Sequence, residues 1–202
     1  LAMPLFLPLT ISVVSGDTIA GEAGQGTLRY LLIAPVSRLR LLVVKYLGTI
    51  AFTLAGTFLL MLSGALIGAL LFPVGPVTLL SGDVIGVGEA VWRMVLVASY
   101  TTISMTGMLA VGLFISTLTT IPVGAMTGVL VTSGVSQILD NLPQFEVIHT
   151  WLFTHYWLDF ADILRQPIEL SSMGSNALLQ LGYVAVFGSL AYGRLASKDI
   201  LS

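Results

Sequence analysis

Residues 41–72 read LLVVKYLGTIAFTLAGTFLLMLSGALIGALLF, and beyond Lys45 no charged residue interrupts them. About 20 consecutive apolar residues suffice to cross a hydrocarbon core of ~30 Å. At about 1.5 Å of rise per residue a helix over this stretch would be ~48 Å long. Its first turns, with Lys45, are therefore expected to reach water or to snorkel at the interface. A second uncharged stretch covers residues 94–139. Two such segments in one chain make lipid the expected solvent.

The composition agrees. Hydrophobic residues make up 56% of the chain and charged residues 9%, with a mean hydropathy of +0.99. A soluble domain carries about 25% charged residues because its surface must be wetted. The net charge of −2 decides little, since what matters in a membrane chain is where Lys and Arg sit. With no cysteine, disulfides, thiolate metal sites and cysteine nucleophiles are excluded. No basic patch suggests a nucleic acid as partner. The chain opens at Leu1 inside an apolar run, without the basic stretch that begins a signal peptide. It is expected to be a trimmed chain with another helix upstream.

The pattern predicts an all-α, polytopic transmembrane bundle of about five spans, a single domain over residues 1–202. The first span covers about residues 1–19, with Pro4 and Pro8 in its opening turns, where proline costs least. A polar stretch, residues 15–40, follows, and residues 27–34 within it read as a short amphipathic helix ended by Pro35. The second span, residues 41–72, stops at Pro73-Val-Gly-Pro76. The third (94–118) and fourth (122–139) are separated by Thr119-Thr120-Ile121 alone, which predicts a tight antiparallel hairpin. An aromatic outer segment, residues 140–175, leads to the fifth span at about 177–192.

Basic residues set the orientation. Arg29, Arg38, Arg40 and Lys45 flank one loop, and Arg194 and Lys198 lie in the tail. The opposite loops hold Arg93 and Arg165 among Asp83, Glu89, Asp140, Glu146, Asp159, Asp162 and Glu169. The positive-inside rule then places the Glu22 loop and the C-terminus in the cytoplasm of a multi-pass cell-membrane protein.

The loop at residues 20–40 is the most informative part of the chain. Glu22, then Gly26-Thr27-Leu28, Leu31-Leu32, Pro35-Val36-Ser37-Arg38 and finally Lys45 resemble the first cytoplasmic loop of type-2 ABC exporter permeases. The tail Ser197-Lys-Asp-Ile200 and the hairpin after Ile115-Ser-Thr117 are similar to that family too, although it usually has six spans. The resemblance implies a coupling helix that docks on a separate ATP-binding cassette subunit. It also implies a second permease subunit, as homo- or heterodimer, and alternating access driven by ATP and Mg bound to the partner. Leu28, Leu31 and Leu32 would offer the apolar face, with Glu22 and Arg38 among the charges. A charged loop beside a membrane is more often merely solvated; the motif and the matching topology favour docking. The chain has no G-x-x-x-x-G-K-[ST] loop around Lys45 or Lys198, so it holds no cofactor and is not itself an ATPase.

Other constellations have blander readings. Ser99, Thr102 and Thr106 share one helix face and could line a substrate path, or could bond neighbouring helices and their own backbone. Gly64-x-x-x-Gly68 and Gly124-x-x-x-Gly128 are expected to pack within the subunit. Trp151, Phe153, His155, Tyr156, Trp157 and Phe160 suggest a short interfacial helix. His155, Asp159 and Asp162, spaced i, i+4, i+7, could serve a metal or a proton relay. With no third strong ligand and His149 out of phase, a solvated polar face is expected instead. No ionisable residue lies deep in a predicted span, which weakens ion-driven transport and intramembrane hydrolysis. The expected function is the membrane-spanning subunit of an ATP-driven exporter of hydrophobic or amphipathic cargo. The alternatives are a non-transporting scaffold or sensor subunit and, third, a membrane enzyme.

Overall fold

The computed structural model describes residues 5–27, 37–168 and 171–197. Five long helices dominate them: α1 (Leu7–Gly24), α2 (Arg38–Leu71), α3 (Val87–Leu118), α4 (Pro122–Asp140) and, after a one-turn α5 (Glu146–His149), α6 (Ser171–Ser197). A two-stranded antiparallel hairpin, β1 (Val77–Thr78) and β2 (Val84–Ile85), joins α2 to α3. Its turn needs Gly82, whose φ of +91° is open to a residue without Cβ. A 3₁₀ helix, His155–Leu164, lies between α5 and α6.

α3 is the axis of the bundle, and α1, α2, α4, α6 and the 3₁₀ helix all pack on it. Its buried residues run almost without a break from Val97 to Leu113, with Met105, Met108 and Leu109 at the centre. Helix directions alternate. The ends of α1, α3 and α6 meet the starts of α2 and α4, since Lys45 reaches Thr18, Arg38 reaches Leu195, and Gly24 abuts Thr120 and Pro122. This is called the loop end here, and the opposite one the cap end.

The helices are patterned inside out. The buried residues of α2 are Leu42, Thr49, Thr53 and Thr57, while Leu47, Phe52, Leu59, Leu62, Leu66 and Ile67 face outward. Thr57 Oγ1 meets Thr102 Oγ1 at 3.0 Å, and the Tyr46 hydroxyl donates to the Thr106 carbonyl at 2.9 Å. Hydroxyls that join helices while leucines face out suit a lipid solvent, where burying apolar groups between helices gains little. Among the described residues three helices, α2, α3 and α4, are long and apolar enough to cross a membrane. α1 carries Asp17 and Glu22, and α6 carries Asn176 and Gln180, and both fall outside that set.

Several expectations shift. α3 begins at Val87 rather than residue 94, because Glu89 and Arg93 pair across one turn and let the helix start early. The hairpin between α3 and α4 is as tight as expected, Pro122 opening α4 where its missing N–H costs nothing. Gly128 packs inside the bundle against Ile115, and Gly124 approaches Ile121. Gly64 and Gly68 instead face open space, because the outer half of α2 has left the bundle. The amphipathic helix expected at 27–34 and the tail from Lys198 lie outside the described residues.

Candidate functional site

The loop end gathers side chains from α1, α2, α3 and α6 around the two stems that flank residues 28–36. α1 closes with the Gln25 N–H on the Gly21 carbonyl at 3.0 Å. Gly26 then turns the chain at φ +72°, the left-handed geometry that glycine supplies after a helix. The other stem starts at Ser37, whose hydroxyl caps α2 by accepting from the Arg40 N–H at 3.2 Å.

Two clamps tie these stems down. Lys45 of α2 places Nζ 2.6 Å from Glu22 Oε1 and donates to the Thr18 carbonyl at 2.9 Å. Arg38 donates from Nη1 to the Leu195 and Ala196 carbonyls, each at 2.6 Å. These are last-turn acceptors of α6 without helical partners, and the negative end of the helix dipole favours a cation there. A third fixture joins α1 to α3. The Ser116 hydroxyl, fully buried, accepts from the Ile19 and Ala20 N–H groups at 2.9 and 2.8 Å and donates to the Gly16 carbonyl at 2.6 Å. Glu22 thus stands on a segment of α1 held by side chains of two other helices. Its Oε2 is buried and has no hydrogen-bond partner among the described residues.

An apolar crevice of about 340 Å³ opens between α2 and α6 just above the clamps, lined by Leu42, Tyr46, Ala110, Leu113, Val184 and Ser189 among others. A wider groove of about 690 Å³ runs along the other half of α6, past Leu178, Gly182, Tyr183 and Val186 to Trp151. The expected path residues line neither. Ser99 bonds the Val95 carbonyl, Thr106 that of Ile103, and Thr102 that of Ala98 while meeting Thr57. Of the expected docking residues, Glu22, Gly26, Thr27 and Arg38 lie at this end, the Thr27 hydroxyl donating to the Glu22 carbonyl at 3.2 Å. Leu28, Leu31, Leu32, Pro35 and Val36 lie outside the described residues.

At the cap end the expected i, i+4, i+7 face does not form, because residues 155–164 wind as a 3₁₀ helix with three residues per turn. His155 Nδ1 pairs instead with Asp140 Oδ1 of α4 at 2.7 Å. Burial, and then the neighbouring Asp162, raise the Asp159 carboxyl above its usual range. Among the described residues no three His, Asp or Glu side chains converge as a metal site would require.

Three fixtures went unnoticed in the sequence. Arg93 is buried and donates to the Ile163 and Arg165 carbonyls at 2.6 and 2.7 Å and to Glu89 at 2.8 Å. Asn176 and Gln180, both fully buried, bond each other, Ser104 of α3, the Gly107 N–H and the Phe153 carbonyl. Their i, i+4 spacing in an apolar helix, like that of Glu89 and Arg93, was the available signal. Ser116 gave none.

Residues 1–201 match the family described as protein of unknown function, DUF2705, and the chain belongs to it. That match corrects the resemblance to type-2 ABC exporter permeases, since the model spanning the chain is this family's and none of that family matches. The loop pattern of a glutamate, Gly-Thr-Leu and Pro-Val-Ser-Arg is short and built from common residues. No curated protein and no solved structure matches the chain.

Proposed function

We propose that this DUF2705 protein is the membrane-spanning subunit of an ATP-driven exporter. Five helices cross the membrane, with the loop end in the cytoplasm. A separate ATP-hydrolysing subunit docks on residues 20–40, and two spanning subunits work together to move a hydrophobic or amphipathic cargo. The observation that carries the reading is the pair of clamps. Lys45–Glu22 and Arg38–Leu195 tie both stems of one loop to three helices, two of which border the crevice of about 340 Å³. A partner that moved the loop would move α1, α2 and α6 with it. A merely solvated loop needs no such bracing.

Two further features support it. Arg38, Arg40, Lys45 and Arg194 gather at the loop end, and Asp140, Glu146, Asp159 and Asp162 at the cap end, the asymmetry of a cytoplasm-facing loop. The intervening residues Leu28, Leu31 and Leu32 supply apolar side chains in a charged setting, a composition suited to docking in a partner's groove.

Gentle extraction from the native membrane, co-purification and an ATPase assay test the proposal. Recovery of an ATP-hydrolysing subunit, with its retention at least tenfold lower for Leu31→Asp and coupled turnover lost for Glu22→Ala, is the expected result. A chain that purifies alone, or unchanged retention in Leu31→Asp, removes the docking role and moves the scaffold reading ahead.

A further inference from the structure

Residues 142–168 cover the cap end, and their attachments are of two kinds. To α3 and α6 they are held by bonds indifferent to protons near neutral pH. Trp157 Nε1 donates to the Ser104 carbonyl at 3.0 Å, and the Tyr100 hydroxyl to the Tyr156 carbonyl at 2.7 Å. Gln180 donates to the Phe153 carbonyl and Tyr183 to that of Trp151, both at 2.9 Å. Among the described residues, the polar side-chain contacts from the cap to α4 are the Ser136–Thr154 hydroxyl pair at 2.7 Å and His155–Asp140, also at 2.7 Å. One of those two joins a pair of ionisable side chains.

The surroundings of His155 are lopsided. Asp140 faces it from α4, and Asp159 acts on it from its own 3₁₀ helix, with Asp162 behind. His149 of α5 lies with its ring centroid 6.2 Å away, and Tyr156 at 4.8 Å. From α3 the neutral Tyr100 hydroxyl approaches the same helix. Arg165 is turned to Asp162 at 3.8 Å, Arg93 of α3 is engaged with Glu89 and the Ile163 and Arg165 carbonyls, and Ser172 of α6 also donates to Asp162. A neutral imidazole therefore leaves these carboxylates without a nearby cation on the Asp140 side.

We infer that His155 and Asp140 form a protonation-dependent latch between the cap and α4, closed when the imidazole carries its second proton and loosened when it loses it. A charge-assisted hydrogen bond is roughly twice as strong as a neutral one, so the seam at Ser136–Thr154 opens more often as pH rises. The latch stands on its own geometry and does not depend on the exporter reading.

The absence of native cysteine permits a clean test on the full chain in lipid nanodiscs. Thr154→Cys reports on the seam, 5% exposed behind the latch, and Val147→Cys, 87% exposed on the same cap, is the reference. The ratio of their rates with a small neutral methanethiosulfonate removes the pH dependence of thiol reactivity itself. That ratio should rise about fivefold between about pH 5.5 and pH 8. It should be flat in His155→Gln, which keeps a neutral hydrogen bond, and in Asp140→Asn. A constant ratio in the parent chain, or a rise that survives either substitution in a monodisperse sample, overturns the latch.

Discussion

Removing the Lys45 ammonium tests whether the loop stems are clamped or merely adjacent. Lys45→Met keeps the aliphatic stem that lies along α1 and deletes two bonds, to Glu22 at 2.6 Å and to the Thr18 carbonyl at 2.9 Å. The Lys45 side chain is 16% exposed and that of Glu22 31%. Fully exposed ion pairs contribute about 0.2–1 kcal/mol and hydrogen bonds to charged groups about 1.5–3 kcal/mol. With nearly a third of Glu22 reaching solvent, the pair falls between them at about 1–1.5 kcal/mol, and the Thr18 contact adds ~1 kcal/mol. Lys45→Met should therefore cost about 2–2.5 kcal/mol. Glu22→Gln, which removes the charge but leaves an acceptor, should cost less than half of that. The assay is a double-mutant cycle on reversible unfolding in mixed micelles, followed by tryptophan fluorescence. A coupling of about 1 kcal/mol is expected, because contacting residues are not additive. Additivity within ~0.3 kcal/mol would mean that the two side chains act independently, and the mechanical case for the loop would fall with it.

Gly16 and Gly64 make a second comparison. A Cβ on Gly16 would lie 2.7 Å from the Met126 backbone nitrogen, which cannot turn aside, whereas one on Gly64 meets nothing. Gly16→Ala should thus lower thermal stability by several degrees, and Gly64→Ala should leave it unchanged or raise it slightly, since alanine favours helix by ~1 kcal/mol. Arg93→Met leaves the Ile163 and Arg165 carbonyls without their donor and should cost about 2–4 kcal/mol. The loss is local, so amides at residues 163–166 should exchange faster by hydrogen-exchange mass spectrometry while those of α4 keep their protection.

The helical architecture was legible because hydrophobicity without charge over residues 46–72 and 94–139 permits little else. The tight α3–α4 turn was legible from Pro122, and the grouping of Glu22, Arg38 and Lys45 at one end from the alternation of spans. What the sequence hid were contacts whose partners lie far along the chain. Ser116 meets Gly16 across 100 positions and Arg38 meets Leu195 across 157, and no local period encodes such pairs. His155 misled for another reason. Its spacing to Asp159 and Asp162 fits an α-helix, but the segment takes the tighter 3₁₀ winding and turns the imidazole to Asp140 instead. The family was misread because the resemblance rested on a short run of residues in one loop, while the family match spans residues 1–201. Glu22–Lys45 and Ser37–Arg40 join side chains and backbone at the two stems.

The two ends of the bundle are linked by one element more directly than by the others. α6 spans Ser171–Ser197, a rod of about 40 Å at 1.5 Å per residue. At its C-terminus it is held by Arg38, the first residue of α2. In its N-terminal half Gln180, Tyr183 and Ser172 hold the cap. Its buried residues in between are few, Asn176, Gln180, Ala191 and Leu195, and its middle borders both the crevice and the groove. Between its tips α6 packs along α3, with Phe187 against Phe114 at 5.8 Å and Gln180 on the Gly107 N–H, so a shift at one tip is carried along a packed rod. If a partner does act on the loop, the displacement reaches the cap through α6. The seam that then yields is the one between the cap and α4, where the cap is held by a hydroxyl pair and a single titratable bond rather than by the Asn176–Gln180 network.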